Sequence, residues 1–431
     1  MGRKRSSNDA DHQTECQKGT QQLKKPKRAP PKPQPLPQYT PMHIQPMSNW
    51  HKASCLPKHV NPAHPLEIFS LFLTEERLET IARHTNEYAA LHRKEPLQPN
   101  ARPWKDTTAR ELLAYIATYI YMGLHPEHNV AEYWNTDPEK GPLHLLVRRN
   151  ISLVRWQQLD RYFHISKPNL DHKESVFDKI EPLSEELRAA SKRYWQPTTH
   201  LAIDECIQRF LGRAKEIVNI PSKPTPEGFK IWVLANAGYI LDWLFHAKGS
   251  GPVDLDDYWT VDRKFPATQA VVLDLLLQAD IQNDSRHVVW LDNLFTSVRL
   301  LATLSDEGFG AAGTVRTSKT KAELIATTPE QSQQPQQTQL NSPEVNRGLD
   351  PSLAELKIEF NTQIPWGKLY GCLSADGKVL QFAWKDQQIV LFMTTITGVS
   401  EEGQIDKVKR WRKRPAATAT NARTSRAAFG E

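Results

Sequence analysis

The chain reads as an α+β protein: an all-helical region from about residue 63, then, from residue 199, a mixed sheet of α/β character. Three observations predict this. Apolar residues recur at helical spacing between Leu66 and Phe163, two-residue alternation sets in at Leu201, and beyond residue 267 helix and strand patterns take turns. With 431 residues, 39% hydrophobic and 24% charged, the chain can bury more than one core.

Residues 1–62 hold the run Pro30-Pro31-Lys32-Pro33-Gln34-Pro35-Leu36-Pro37 and are expected to be a disordered, locally polyproline-like basic tail. Lys24, Lys25, Lys27 and Arg28 resemble a nuclear-import address, which predicts an import receptor as partner and the nucleus as location; a merely solvated basic tail would look the same. No apolar run approaches the ~20 residues of a bilayer span, and the N-terminus lacks the apolar centre of a secretory signal. The expectation is a soluble intracellular protein without a membrane partner. Cys16, Cys55, Cys206 and Cys372 form no C-x-x-C pair, which argues against a disulfide framework. His51, Cys55, His59 and His64 are spaced loosely like metal ligands, but Pro57 and Pro62 interrupt any helix that would align them, so no zinc is expected. The formal charge of +6 is concentrated at the two ends, around residues 3–32 and 407–426, while the middle is net acidic. Polyanion attraction should therefore lie in the ends or in local patches.

Residues 63–198 are expected to form the helical domain. Leu66, Phe69, Leu73, Leu78 and Ile81 continue one apolar face across a cap-like Thr74-Glu75-Glu76; Leu112, Leu113, Ile116, Tyr119 and Ile120 form the buried side of a helix over 107–124; and 150–165 is a third helix. Residues 199–317 are expected to form the sheet. Strands at Leu201–Ile207, Phe229–Ala235 and Tyr239–Phe245 make an antiparallel meander. A helix over 267–279, a strand at His287–Asp292, a helix at Thr296–Glu307 and a strand at Phe309–Val315 then make a β-α-β unit. A three-strand meander followed by an alternating half is a ribonuclease-H-like mixed sheet. Residues 318–350 read as a Gln-rich linker, 351–400 as a small β insertion (strands at Leu356–Phe360, Lys368–Cys372, Val379–Trp384 and Ile389–Ile396), and 401–431 as a basic tail.

Asp204 and Asp292 end or interrupt apolar strands, where an unpaired carboxylate costs several kcal/mol. Alternation puts Glu205 on the face opposite Asp204, and Asn293 opposite Asp292 if the backbone stays extended. In a ribonuclease-H-like sheet the first and fourth strands are neighbours, so the two aspartates would converge on a site of hard oxygens suited to Mg²⁺ or Mn²⁺. Two solvent-exposed strand ends remain the plainer reading.

Ile203-Asp204-Glu205, Phe210-Leu211-Gly212-Arg213, Pro221-Ser222-Lys223-Pro224 and Gly228-Phe229-Lys230-Ile231-Trp232 together resemble the first catalytic block of piggyBac transposases. Leu291-Asp292-Asn293-Leu294-Phe295-Thr296-Ser297, with Gly308 and Gly313-Thr314-Val315-Arg316, resembles the second. Tyr121-Met122-Gly123-Leu124, Tyr133-Trp134-Asn135 and Arg161-Tyr162-Phe163-His164-Ile165-Ser166 resemble the family's helical DNA-binding region. The resemblance implies DNA cut-and-paste chemistry, with Asp204 and Asp292 as the first two acids of a D-D-D site for two Mg²⁺ or Mn²⁺ ions. It further implies Arg213, Lys223 and Lys230 as phosphate contacts, although ordinary surface charge would look the same. The dense basic run Lys409, Arg410, Arg412, Lys413 and Arg414 is a further expected DNA contact.

The third acid of such a site lies in a block resembling N-x-x-M-x-G-V-D-x-x-D-Q. No such block occurs in these 431 residues, and neither does the family's Cys/His-rich module. Asp386, in a Lys385-Asp386-Gln387-Gln388 turn, and Asp406, at the start of the basic tail, are weak substitutes. The expectation is a C-terminally truncated, catalytically defective transposase relative. A non-cleaving nuclear DNA-binding protein or a decaying gene product are the alternatives.

Overall fold

The computed structural model describes residues 28–34, 37–45, 54–93, 102–168, 175–281, 283–317 and 348–396. Lys24, Lys25 and Lys27, the Gln-rich linker up to residue 347, Asp406 and the basic run 409–414 lie outside these residues.

The helical region holds α1 (Pro65–Phe72), α2 (Glu75–His92), α3 (Ala109–Leu124), α4 (Leu145–Asn150), α5 (Leu153–Tyr162) and α6 (Glu181–Tyr194). Hydroxyl caps start three of them: Thr74 accepts from the Arg77 N–H, Thr108 from that of Glu111, and Ser152 from that of Arg155. The helix read over 150–165 begins only after buried Ile151, because Ser152 caps it there. Leu78, Ile81, Leu112, Tyr115, Trp156 and Leu159 form this region's core. The motif residues here act as internal staples. The Tyr133 hydroxyl donates to the His125 carbonyl (2.6 Å), the Trp134 indole to that of Ile151 (2.8 Å), and His164 stacks on Tyr88.

The sheet region runs β1 (His200–Arg209), β2 (Val218–Asn219), β3 (Glu227–Asn236), β4 (Tyr239–Ala247), β5 (Gly251–Pro252), α7 (Ala267–Gln278), β6 (Val288–Leu291), α8 (Val298–Asp306), β7 (Gly310–Thr314), α9 (Pro351–Glu359), β8 (Leu369–Leu373), β9 (Leu380–Lys385) and β10 (Ile389–Thr394). The described strands form one 10-stranded sheet in the order β5-β4-β3-β1-β6-β7-β10-β9-β8, with β2 beside β3. β1, β6 and β7 are mutually parallel, and β3 and β10 flank them antiparallel. This is the mixed, ribonuclease-H-like arrangement expected. One core joins Leu201, Ile203, Trp232, Leu234, Val289 and Leu391 to the apolar sides of α7, α8 and α9. α7 is enclosed by the fold: Ala270 through Leu276 are all buried, and all but Asp274 are apolar.

Four expectations need correction. Tyr119 and Ile120 are not on the buried side of α3, which is formed by Leu112, Tyr115 and Thr118; both are exposed. Residues 351–400 are not a separate insertion, because β10 pairs with β7 and carries β9 and β8 onto the edge of the same sheet. Leu356–Phe360 is not a strand but the end of α9. Asp350 caps that helix and Pro351 opens it, burying Leu353, Ala354 and Leu356 at helical spacing. The N-terminal segment is not wholly a disordered tail either. Residues 28–34 and 37–45 strap across the sheet: Arg28 pairs with Glu355, Tyr370 donates to the Pro31 carbonyl, and the Met42 N–H donates to the Thr395 carbonyl (2.8 Å). The Tyr39 hydroxyl reaches the carbonyls of Lys378 (2.7 Å) and Thr395 (3.0 Å). Burial pushes this phenol up to about 12, so it stays a donor.

Candidate functional site at the ends of the parallel strands

The register between β1 and β6 ends with Ile203 opposite Leu291, so Asp204 and Asp292 are the next residues on neighbouring parallel strands. Such strands lie about 4.8 Å apart. Their carboxyl ends, where the loops splay, are where open α/β sheets hold ligands. Alternation along β1 buries Leu201 and Ile203 in the core and leaves Ala202, Asp204 and Cys206 on the more open face.

Asp292 is not followed by extended chain. Its Oδ1 accepts the Leu294 N–H (2.5 Å), and its carbonyl accepts the Thr296 N–H (3.2 Å) and hydroxyl (2.7 Å). This tight turn is pinned from beneath by fully buried Phe295, set edge-on to Trp232 at 5.7 Å, and runs into α8 through the Ser297 cap. Asp204 Oδ1 accepts the Glu205 N–H at 2.8 Å. Partial burial holds the Asp204 carboxyl above the usual range against that hydrogen bond, and the negative charges of Glu205 and Asp292 add to the rise.

Two of the three basic residues lie beside this end, in different ways. Lys223 Nζ is 2.9 Å from Glu205 Oε1, and this hydrogen bond raises the lysine's proton affinity. Lys230 Nζ lies 3.7 Å over the Trp232 ring, and burial lowers its proton affinity. Arg213 is exposed in the loop after β1. Strand alternation found Glu205's face, but not its partner, which comes from a loop eighteen positions later. Asp386 sits in the β9–β10 turn, where the Trp366 indole donates to it (3.3 Å). It lies two to three strand spacings from β6, roughly 10 Å or more, too far to join the pair. Among the described residues no group of three or more His, Cys, Asp or Glu side chains is arranged to hold a metal ion. Two buried acceptors near the strand ends, Glu205 Oε2 and Asn293 Oδ1, have no hydrogen-bond partner.

A ribonuclease-H-like sheet, with aspartates closing adjacent parallel strands and a helical region ahead of it, defines the class of nucleases and DNA transposases. Within that class a family profile described as "Transposase IS4" matches residues 64–424. The chain belongs to the piggyBac transposase family. It is similar to the human PiggyBac transposable element-derived protein 2, at 24% identity over 257 residues, covering 60% of this chain and 40% of that one. Human PiggyBac transposable element-derived protein 3 is 25% identical over 256 residues, covering 58% and 40%. The matched stretch thus spans about two fifths of these relatives' length. The fold is similar to that in a cryo-EM structure of a piggyBac transposase synaptic complex with hairpin DNA, with TM-score 0.60 and 20% identity over 83% of this chain and 65% of that one.

Proposed function

We propose that this chain is a nuclear DNA-binding member of the family whose acid pair, within these 431 residues, does not cut DNA. One observation carries the reading: Asp204 and Asp292 both directly follow the last register pair, Ile203 and Leu291, of neighbouring parallel strands, with lysines on the loop and strand beside them.

The donors fit a divalent ion in kind, and only in part in number. Carboxylate oxygens suit Mg²⁺ or Mn²⁺, and crowding of negative charge at Asp204 is what a cation relieves. Asp204 and Asp292 would hold such an ion, which when bound would acidify an attacking water or 3′-hydroxyl. Each carboxylate, however, already gives one oxygen to a backbone N–H. Two divalent ions ~4 Å apart repel by roughly 17 kcal/mol at an effective dielectric of ~20, and ligand charge must offset that; two carboxylates bring two negative charges against four positive ones. The chain's own residues do the rest of the work: Lys223 and Lys230 supply positive charge beside the strand ends, Arg213 supplies it in the exposed loop after β1, and the 409–414 run is a further source in the sequence.

The test is a gel assay of the purified chain on labelled duplex DNA with Mn²⁺. Salt-sensitive binding without nicking is expected. Nicking that disappears in Asp204→Ala would refute the non-cleaving half, and binding indifferent to salt would refute the other. Import through Lys24, Lys25, Lys27 and Arg28 predicts that removing residues 1–35 lowers nuclear accumulation of a fluorescently tagged chain. An unchanged distribution removes that part.

A further inference from the structure

Glu205 is an expensive residue where it stands. It lies between Ile203 and Ile207 on the core-facing side of β1, paired across the sheet with Trp232, and its side chain is 8% exposed. A carboxylate there costs several kcal/mol unless paired, and an apolar side chain would pack the position better. What the acid provides is a tether. Oε1 holds Lys223 at 2.9 Å, while Oε2 has no hydrogen-bond partner.

Lys223 belongs to the turn between β2 and β3. The Ile220 N–H donates to the Pro226 carbonyl (2.7 Å) and the Lys223 N–H to that of Ile220 (3.0 Å). Pro221 and Pro224 stiffen the turn, and the pairing of β2 with β3 (Asn219 opposite Glu227) holds its base on the sheet, leaving the Lys223 side chain at its tip to be aimed. Glu205, 18 positions earlier in the chain, does that. An ammonium has three N–H donors, and a single carboxylate oxygen takes one of them. The Lys223 side chain remains 36% exposed, beside Asp204 and Asp292.

We propose that Glu205 is a positioning residue: it anchors Lys223, and with it the Ile220–Pro226 turn, at the acid end of β1, so that the lysine meets a DNA phosphate there. This rests on the DNA-binding reading above. It assigns Glu205 to the loop and not to a metal.

The experiment compares salt dependence of DNA affinity in the full chain and in Glu205→Gln, Lys223→Met and the double variant. Losing one phosphate contact lowers the slope of log affinity against log salt by about 0.9. Glu205→Gln and Lys223→Met should each lower it by that amount, and the double variant by no more, because both remove the same contact. Lys223→Met alone strands a buried carboxylate, whereas the double variant leaves no buried charge and keeps the comparison readable if the single one misfolds. Lys223→Arg should restore the slope. A merely structural ion pair would move melting temperature and leave the slope alone. The proposal is overturned if Glu205→Gln keeps the full slope while Lys223→Met lowers it, or if Glu205→Gln abolishes Mn²⁺ binding measured without DNA. If the unaltered chain binds no DNA, this inference and the reading beneath it both fall. If it binds and neither variant alters the slope, only this one falls.

Discussion

Replacing Gly313 by alanine tests whether the Asp292 turn is held by close packing. A Cβ at this position in β7 would enter the Thr296 hydroxyl and come within 2.7 Å of the Leu291 carbonyl oxygen. Neither neighbour can yield easily. Leu291 is locked in β6, and Thr296 is fully buried with its hydroxyl donating to the Asp292 carbonyl. Overpacking of this kind costs about 1–3 kcal/mol, and loss of the Thr296 hydrogen bond about 1 more. At roughly 2–4 °C per kcal/mol for a unit of this size, the melting temperature should fall by about 5–15 °C. The assay is thermal unfolding followed by circular dichroism, with Gly123→Ala as the counterpart. Gly123 lies in α3 with nothing within 4 Å of an added Cβ, so alanine there should be neutral or stabilising by up to ~1 kcal/mol. Equal shifts in the two variants would refute the reasoning.

Other outcomes follow from individual contacts. Asp274 is buried in α7, and desolvation raises its carboxyl to about 6. Its folded pKa exceeds the unfolded one, so the ionised group destabilises the fold above pH ~6 and the penalty fades as pH falls towards 4. Asp274→Asn should therefore raise the melting temperature at neutral pH and match the parent at pH 4; a gain that persists at pH 4 contradicts this. Tyr39→Phe should cost about 1 kcal/mol and speed amide exchange around the Thr395 end of β10. A chain begun at residue 46 should lose more, and an unchanged melting temperature would mean the strap contributes nothing. Arg155 makes a two-pronged bond to Glu111 (both 2.7 Å) and stacks 4.5 Å over Trp104. Arg155→Lys should cost about 1–2 kcal/mol despite keeping the charge, as urea titration would show.

Much of the architecture was legible because its signals are local. Thr74, Thr108 and Ser152 announce helix starts within a few residues of the apolar stripes they cap. The three-strand meander and the β-α-β unit declare themselves by a change of period, and Asp204 and Asp292 stand out as charges that close apolar strands. α9 was misread because Leu356, Ile358 and Phe360 alternate as a strand would, although Asp350-Pro351 before them is a helix start.

What the sequence alone determined is the three-strand meander, the β-α-β unit, the capped helices and the pair of strand-ending acids, since periodicity and capping depend on neighbours within a turn or two. Tertiary structure decided that β8–β10 join the main sheet, that residues 28–34 and 37–45 strap its far end, that Lys223 answers Glu205, and that Gly313 must lack a side chain beneath the Asp292 turn. Each of these depends on which distant segments share a sheet edge or a van der Waals boundary. Hydrogen bonds across strands and excluded volume set that boundary, and neither leaves a periodic mark in the chain.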